Sequence, residues 1–179
     1  MAGEKTRVKL LIDKIQFTGS KITDKASVTA ATWDDQPLTL RDDELILEEA
    51  TPEEEEIFSH ELDSALDYSI TGASVTATGS FVQATVEQLV SLLGGKADGS
   101  VFMKSAKKLM IDKAIRFTFK EGGWVVFTRA KGFTTLNLNV GRGGRAKYPF
   151  KFIALAADGS EYDLIWDTTG TATAPETTK

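Results

Sequence analysis

The chemistry that this sequence could support centres on His60, the only histidine in the chain. Glu56 lies four residues before it, and Glu61 and Asp63 follow closely. Imidazole and carboxylate groups at this spacing are ligands for a divalent metal. Metal sites, however, usually draw ligands from several elements, and a dense run of glutamates more often forms a solvated face. We therefore expect neither a metal nor another cofactor here.

Covalent and acid–base catalysis find little support elsewhere in the sequence. The chain contains no cysteine, which excludes a thiol nucleophile, a disulfide and a thiolate metal site. It also lacks a Gly-x-Ser-x-Gly motif. The carboxylates that could serve as general acid and base lie in a segment that is predicted to be exposed to solvent. We therefore expect that the protein is not an enzyme.

A second candidate motif is the glycine- and arginine-rich stretch Gly141–Arg145. Glycines flanked by arginines can bind phosphate or follow a nucleic-acid backbone. The motif is short, and no P-loop pattern surrounds it. The sequence favours a loop between two strands, with its basic charge directed at an acidic protein neighbour.

Charge is strongly separated along the chain, although the net charge is only −5. Residues 31–70 contain 14 acidic residues and one basic residue, a net charge of −13. Residues 101–151 contain 12 basic and two acidic residues, a net charge of +10. Such polarity indicates complementary surfaces, either within the fold or between copies. The alternative is that each segment is simply solvated.

Alternation of apolar and polar residues predicts that the elements around these motifs are mostly β-strands. In Ala114–Lys120, residues Ile115, Phe117 and Phe119 share one face, which predicts a half-buried strand. Glu121–Gly123 follows as a hairpin loop. Further strands are predicted over Val8–Phe17, Asp67–Val82 with a bulge at Gly72, Trp124–Ala130, Thr134–Val140 with its leucines and Val140 inward, Phe150–Ala156, and Glu161–Asp167 after a hairpin turn.

One helix is predicted at about residues 85–94. Thr85 and Gln88 have the spacing of a capping box. The helix has an apolar stripe made of Val86, Leu89, Val90 and Leu93. A second helical turn is predicted within residues 51–62, and a mobile polar connection at residues 98–108.

The predicted fold class is therefore mostly β, a β-sandwich or partly closed barrel with one short flanking helix. We expect a single domain over residues 1–167, with a long acidic loop at about 32–66 and a disordered tail at 168–179. The first 17 residues lack the long apolar run of a signal peptide or membrane span. This predicts a product made in the cytoplasm without membrane association.

The order of these elements resembles that of phage major tail tube proteins. The likeness lies in the helix that follows a long strand, SFVQATVEQLVSLLGG, and in a late strand, PFKFIAL, before a polar turn. It extends over residues 8–167 and involves no diagnostic motif. It implies a β-sandwich whose copies close into hexameric rings through their inner sheets, with rings stacked into a DNA-conducting tube. Related tubes belong to contractile injection systems and type VI secretion, and the resemblance does not separate these.

If the resemblance holds, the protein is a structural subunit of a virion tail. Its partners would be further copies of itself and other tail proteins, with DNA as transported cargo that is not specifically bound. The acidic loop and the basic surface would then meet between subunits. The predicted acidic residues are Asp42, Asp43, Glu44, Glu53, Glu54, Glu55 and Glu56, and the predicted basic residues are Lys104, Lys107, Lys108, Arg142, Arg145 and Lys147.

Two other interpretations stay open at this point. The chain could be a monomeric β-sandwich binding module for a glycan or a protein ligand. It could also bind RNA or DNA through the Gly141–Arg145 stretch and the lysines.

Overall fold

The computed structural model describes residues 10–58 and 65–169. Most of them form β-strands, which confirms the predicted fold class. The strands are β1 Ile12–Thr18, β2 Asp34–Asp35, β3 Leu38–Thr39, β4 Ile46–Glu49, β5 Glu53–Phe58, β6 Ala65–Thr71, β7 Val75–Val82, β8 Gly95–Asp98, β9 Val101–Lys104, β10 Ile111–Phe119, β11 Trp124–Thr134, β12 Asn137–Leu138, β13 Ala146–Leu155 and β14 Leu164–Asp167. The helices are α1 Lys25–Ala30 and α2 Val86–Leu93.

Ten of these strands form one sheet in the order β2-β1-β10-β11-β13-β7-β3, with β4, β12 and β14 on side branches. The sheet bends at the long strand β11. Residues 124–127 of β11 pair with β14, and residues 129–134 pair with β13. The sheet curls so far that Phe17 of β1 touches Phe152 of β13, with ring centroids 5.6 Å apart, although β10 and β11 separate these strands. The two halves thus enclose one core.

The core confirms the predicted register of the central strands. Ile115 and Phe117 of β10 are fully buried, and Phe119 packs against the cluster from a half-buried position. Phe117 meets Phe127 of β11 edge to face, with centroids 5.3 Å apart. The turn between these strands contains Gly122 and Gly123, both at positive φ, as the hairpin prediction requires.

Helix α2 begins with the predicted capping box. The Thr85 hydroxyl accepts a hydrogen bond from the Gln88 backbone N–H, and the Gln88 side chain accepts one from the Thr85 N–H. The most buried side chains of the helix are Leu92 and Leu93, so only Leu93 of the predicted stripe is fully buried. Gly94 ends the helix at φ 75°.

Helix α1 was not predicted from the sequence. Asp24 caps it by accepting a hydrogen bond from the Ser27 N–H. The helix has six residues, and only Val28 is buried. A helix this short does not complete two turns, so it leaves no apolar periodicity to detect.

Two predictions for the acidic segment are wrong. The predicted second helical turn is strand β5, and the predicted long strand over 67–82 is interrupted after Thr71. β5 and β6 pair with each other as a separate two-stranded sheet, whereas β7 belongs to the main sheet. Residues 32–66, expected to be one long loop, thus contain four complete strands. His60, Glu61 and Asp63 lie outside the described residues, as do residues 170–179 of the predicted tail.

Three predictions in the second half also need correction. Residues 98–108, expected to be a mobile connection, lie largely in the β8–β9 hairpin. β14 pairs with β11 and not with its predicted hairpin partner β13. Thr134 ends β11, and after it only β12 is strand within the predicted Thr134–Val140. The β12 residues pair with Ala146 and Lys147, beyond the end of the main ladder. Because no part of the described chain forms a second layer over this end, Leu136, Leu138 and Val140 are exposed and not inward.

Candidate functional site

The β5–β6 hairpin, hereafter the acidic arm (residues 53–58 and 65–71), is the most unusual feature of the fold. In the described part of the chain, it contains five carboxylates and no basic residue. It joins the main sheet where the Ala50 N–H donates to the Ser74 carbonyl, and no other element within residues 10–58 and 65–169 contacts it extensively. An isolated two-stranded hairpin is at best marginally stable in water. Packing against a partner surface would therefore stabilise the arm.

The two faces of the acidic arm differ in character. Directly opposed residues of an antiparallel pair project to the same face. Glu54 lies opposite Ile70, and Glu56 lies opposite Tyr68, so this face combines acidic and apolar side chains. Ile70 is 58% exposed and Tyr68 is 47% exposed. On the other face, two successive cross-strand pairs are purely polar: Glu53 with Thr71, and Glu55 with Ser69.

The predicted basic residues lie toward the end of the main sheet that is opposite the acidic arm, hereafter the basic end. They are Lys104, Lys107, Lys108, Arg142, Arg145 and Lys147. β7 runs from the arm at Val75 to Val82, where α2 follows. Along this strand the two ends are roughly 20 Å apart, at about 3.3 Å per residue. The Lys108 ammonium donates to the Thr134 carbonyl at 2.7 Å, which holds the 105–110 segment against the end of β11. The 136–145 segment follows immediately, so the basic segments converge here.

Part of the predicted acid–base pairing occurs within one chain. Asp43 accepts a hydrogen bond from Lys147 at 2.9 Å and another from Ser80 at 2.6 Å. These two bonds hold the pKa of Asp43 below its usual range, with that from Lys147 the larger cause. Arg145 lies 3.4 Å from Asp42. Among the described residues, neither Arg142 nor Glu53–Glu56 makes such an ion pair.

The Gly141–Arg145 stretch is a compact turn. The Asn139 N–H donates to the Arg145 carbonyl at 3.1 Å, and the Gly144 N–H donates to the Gly141 carbonyl at 2.8 Å. A Cβ at Gly144 would lie only 1.9 Å from the Asn139 carbonyl oxygen, so a side chain there would force the turn open. These two backbone N–H groups are used inside the turn and are not directed at an external phosphate.

The two halves of the main sheet differ in how their outer surfaces are covered. On the β1–β10 side, α1 and the segment after it cover the sheet, and Ile22, Val28, Ala114 and Val126 form a second buried cluster. On the β7–β13 side, no described helix or strand packs on the outer surface, hereafter the open face, and only Ser80 at one end of β7 is buried there, beside Asp43. Strand pairing aligns Thr76 with Ile153 and Thr78 with Lys151 on this face. Ile153 is 38% exposed.

The edges of the main sheet are short. β2 contributes two residues at one edge, where it pairs with Gln16 and Phe17 of β1. β3 and β4 pair with different parts of β7 at the other edge and contribute two and four residues. Unpaired backbone beside such edges can accept a further strand. Because the two edges are different surfaces, joining one to the other is a head-to-tail contact.

A polar network stabilises the β1–β2 edge. The Arg116 guanidinium lies 4.5 Å from the centre of the Trp33 ring and donates to the Gln16 side chain at 2.8 Å. Gln16 in turn donates to Asp35, which also pairs with Lys14 at 3.2 Å. These contacts hold the pKa of Asp35 low, mainly through the bond from Gln16.

A second charged cluster lies on β10 and β11. Arg129 donates two hydrogen bonds to Asp112, at 2.9 and 2.8 Å, and Lys131 lies 3.6 Å from the same carboxylate. The bond from Arg129 is the main cause of the lowered pKa of Asp112. This cluster lay outside the predicted site residues, although the two basic residues belong to the basic segment of the sequence.

Within residues 10–58 and 65–169, no three acidic or histidine side chains converge to hold a metal ion. None of the helices there has the length and apolar character needed to cross a membrane. No family model and no curated protein matches this chain.

Proposed function

We propose that this protein is the subunit of a tail tube, a structural virion protein that assembles into hexameric rings stacked around a DNA-conducting channel. The structural observation that carries the proposal is the open face of the β7–β13 half-sheet, bounded by short edge strands. The ring size, the cargo and the location in a virion tail rest on the resemblance of the element order to phage major tail tube proteins.

Lateral assembly follows from the sheet edges. A sheet with two unlike edges closes into a ring when the edge of one copy continues the sheet of the next. Closure satisfies the unpaired backbone groups beside β2 and β4, which a monomer leaves to solvent. A stable contact of this kind buries about 1,600 Å² in total. The Arg116–Trp33 network would then hold the β1–β2 edge in the conformation that joins the next copy.

The open face is the surface that the proposed ring turns toward its channel. Its described side chains are mainly hydroxyl and apolar groups, with Lys151 on β13 and Glu48 on β4, the strands on either side of β7. Lys131 is also on this side and pairs with Asp112. Such a surface offers few free cations to phosphate, as a conduit for DNA requires. We therefore expect most basic residues of 101–151 to lie away from the channel.

The alternative functions draw less support from the described residues. A cleft of about 380 Å³ lies between Asp42, Asp43, Arg145, Lys147, Leu40, Asn137 and Asn139. No aromatic ring is among these lining residues, so the cleft lacks the stacking platform of many glycan sites. For nucleic acid, we expect no submicromolar binding by fluorescence anisotropy at physiological salt. Tight, steeply salt-dependent binding that Arg142→Ala with Arg145→Ala abolishes would favour the nucleic-acid function.

Sedimentation velocity over a concentration series, with negative-stain imaging of the same samples, tests the proposal. We expect a concentration-dependent shift from monomer to rings, and then to tubes of constant diameter. A sample that stays monomeric at every concentration, with no rings in the images, would contradict the proposal and favour a monomeric binding module.

A further inference from the structure

The acidic arm and the basic end lie at opposite ends of the same half-sheet, and each exposes apolar side chains. On the arm these are Ile57, Phe58, Tyr68 and Ile70, of which Tyr68 and Ile70 lie beside each other on one face with Glu54 and Glu56. On the basic end, Leu138 is 56% exposed and Val140 is 94% exposed. Apolar side chains placed this openly beside charged ones are typical of protein-interaction surfaces.

We propose that the Tyr68–Ile70 face of the acidic arm docks on the 136–145 segment of another copy of this chain. This inference rests on the proposed stacking of subunits and assigns its axial contact. Tyr68 and Ile70 pack against Leu138 and Val140, while Glu54 and Glu56 of the same face approach Arg142.

Charge supports a second copy as the occupant. The described part of the arm contains only acidic charges, and the 136–145 segment contains only basic ones, Arg142 and Arg145. Arg145 already lies close to Asp42 in its own chain, so Arg142 is the arginine of this segment that can pair with the arm of another copy. Exposed ion pairs contribute little singly, so the apolar contact carries the binding and charge selects the orientation.

The placement of the two surfaces also determines the kind of assembly. Each copy has one arm and one receptor segment, at ends that the length of β7 separates. A contact between unlike surfaces is heterologous, and it closes into a ring or continues as an open stack depending on the rotation between copies. Because the two surfaces lie at opposite ends of β7, this contact places successive copies end to end. It therefore propagates along an axis, which is the property that stacking of rings requires.

Because the chain has no cysteine, single-cysteine variants give a direct test. Tyr68→Cys and Leu138→Cys subunits, one of them with a mass tag, are mixed, assembled and treated with a short bismaleimide. We expect a band at the combined mass of the two subunits. The control pairs Tyr68→Cys with Tyr162→Cys, a tyrosine 60% exposed on the segment before β14. This control pair should give no such band.

The outcomes separate the two proposals. Assemblies that form without the Tyr68–Leu138 cross-link, or with equal cross-linking in the control pair, would overturn the axial contact alone. Cross-links only between like variants would overturn it as well. A parent protein that forms no assemblies at any concentration would overturn the proposed function, and the axial contact with it.

Discussion

Replacement of Phe117 by alanine is the sharpest test of the packing that joins the two half-sheets. Phe117 is fully buried and contacts Phe127 edge to face. Truncation of a buried phenylalanine costs about 3–5 kcal/mol in unfolding free energy, through lost transfer energy and the cavity left behind. In a domain of this size, each kcal/mol lowers Tm by about 2–4 °C, so Phe117→Ala should lower it by about 6–20 °C.

Urea denaturation followed by tryptophan fluorescence measures the loss directly. Phe133→Ala is the matched control, because Phe133 lies on β11 but is 43% exposed. We expect its effect to be a small fraction of that of Phe117→Ala. A loss well under 1 kcal/mol for Phe117→Ala, or equal losses for the two variants, would refute the assignment of β10 to the core.

Three further predictions concern backbone strain, pH and charge. Gln83 has φ 55°, and Gln83→Gly should raise stability slightly, because relief of about 1–2 kcal/mol outweighs the entropy that glycine loses; an unchanged or lower Tm would contradict this. The lowered pKa of Asp112 makes its bond from Arg129 stabilising above about pH 4, its unfolded value, and ineffective once pH falls below its folded value. The stability difference between parent and Asp112→Asn should therefore shrink as pH falls below about 4, and a difference that stays constant over this range in chemical melts would show another cause. Replacing Glu53–Glu56 with glutamine should alter the salt dependence of assembly sedimentation while leaving the subunit Tm nearly unchanged, and identical sedimentation at every salt concentration would make the arm's charge irrelevant.

The sequence was most informative where burial imposes a period. Ile115 and Phe117 alternate with polar residues because one face of β10 meets the core, and the capping box of α2 has a fixed spacing. It was least informative where nothing is buried. The run Glu53–Glu56 favours no single conformation, and only its pairing with β6 makes it a strand. Leu138 alternates with polar residues as a core residue would, yet it is exposed because no described element packs over this end of the sheet.

The candidate surfaces show the same division. The separation of charge was visible in the sequence, but the pairs Asp42–Arg145 and Asp43–Lys147 join residues about a hundred positions apart. Whether such charges meet within one chain or between copies depends on strand order, which the periodicity of a single strand does not encode. The open face was likewise hidden, since Thr76 and Thr78 alternate as they would on any solvated strand.

Access to the open face in the assembled state tests the central claim most directly. Lys151→Cys introduces the only thiol of the chain on this face, and Tyr162→Cys provides a matched control on the exposed segment before β14. We expect a bulky polymer-linked maleimide to label Lys151→Cys rapidly in free subunits and scarcely at all inside assemblies, whereas a small maleimide should label it in both. Bulky labelling of Lys151→Cys that is as fast in assemblies as in free subunits and in the control would contradict a channel lined by this face.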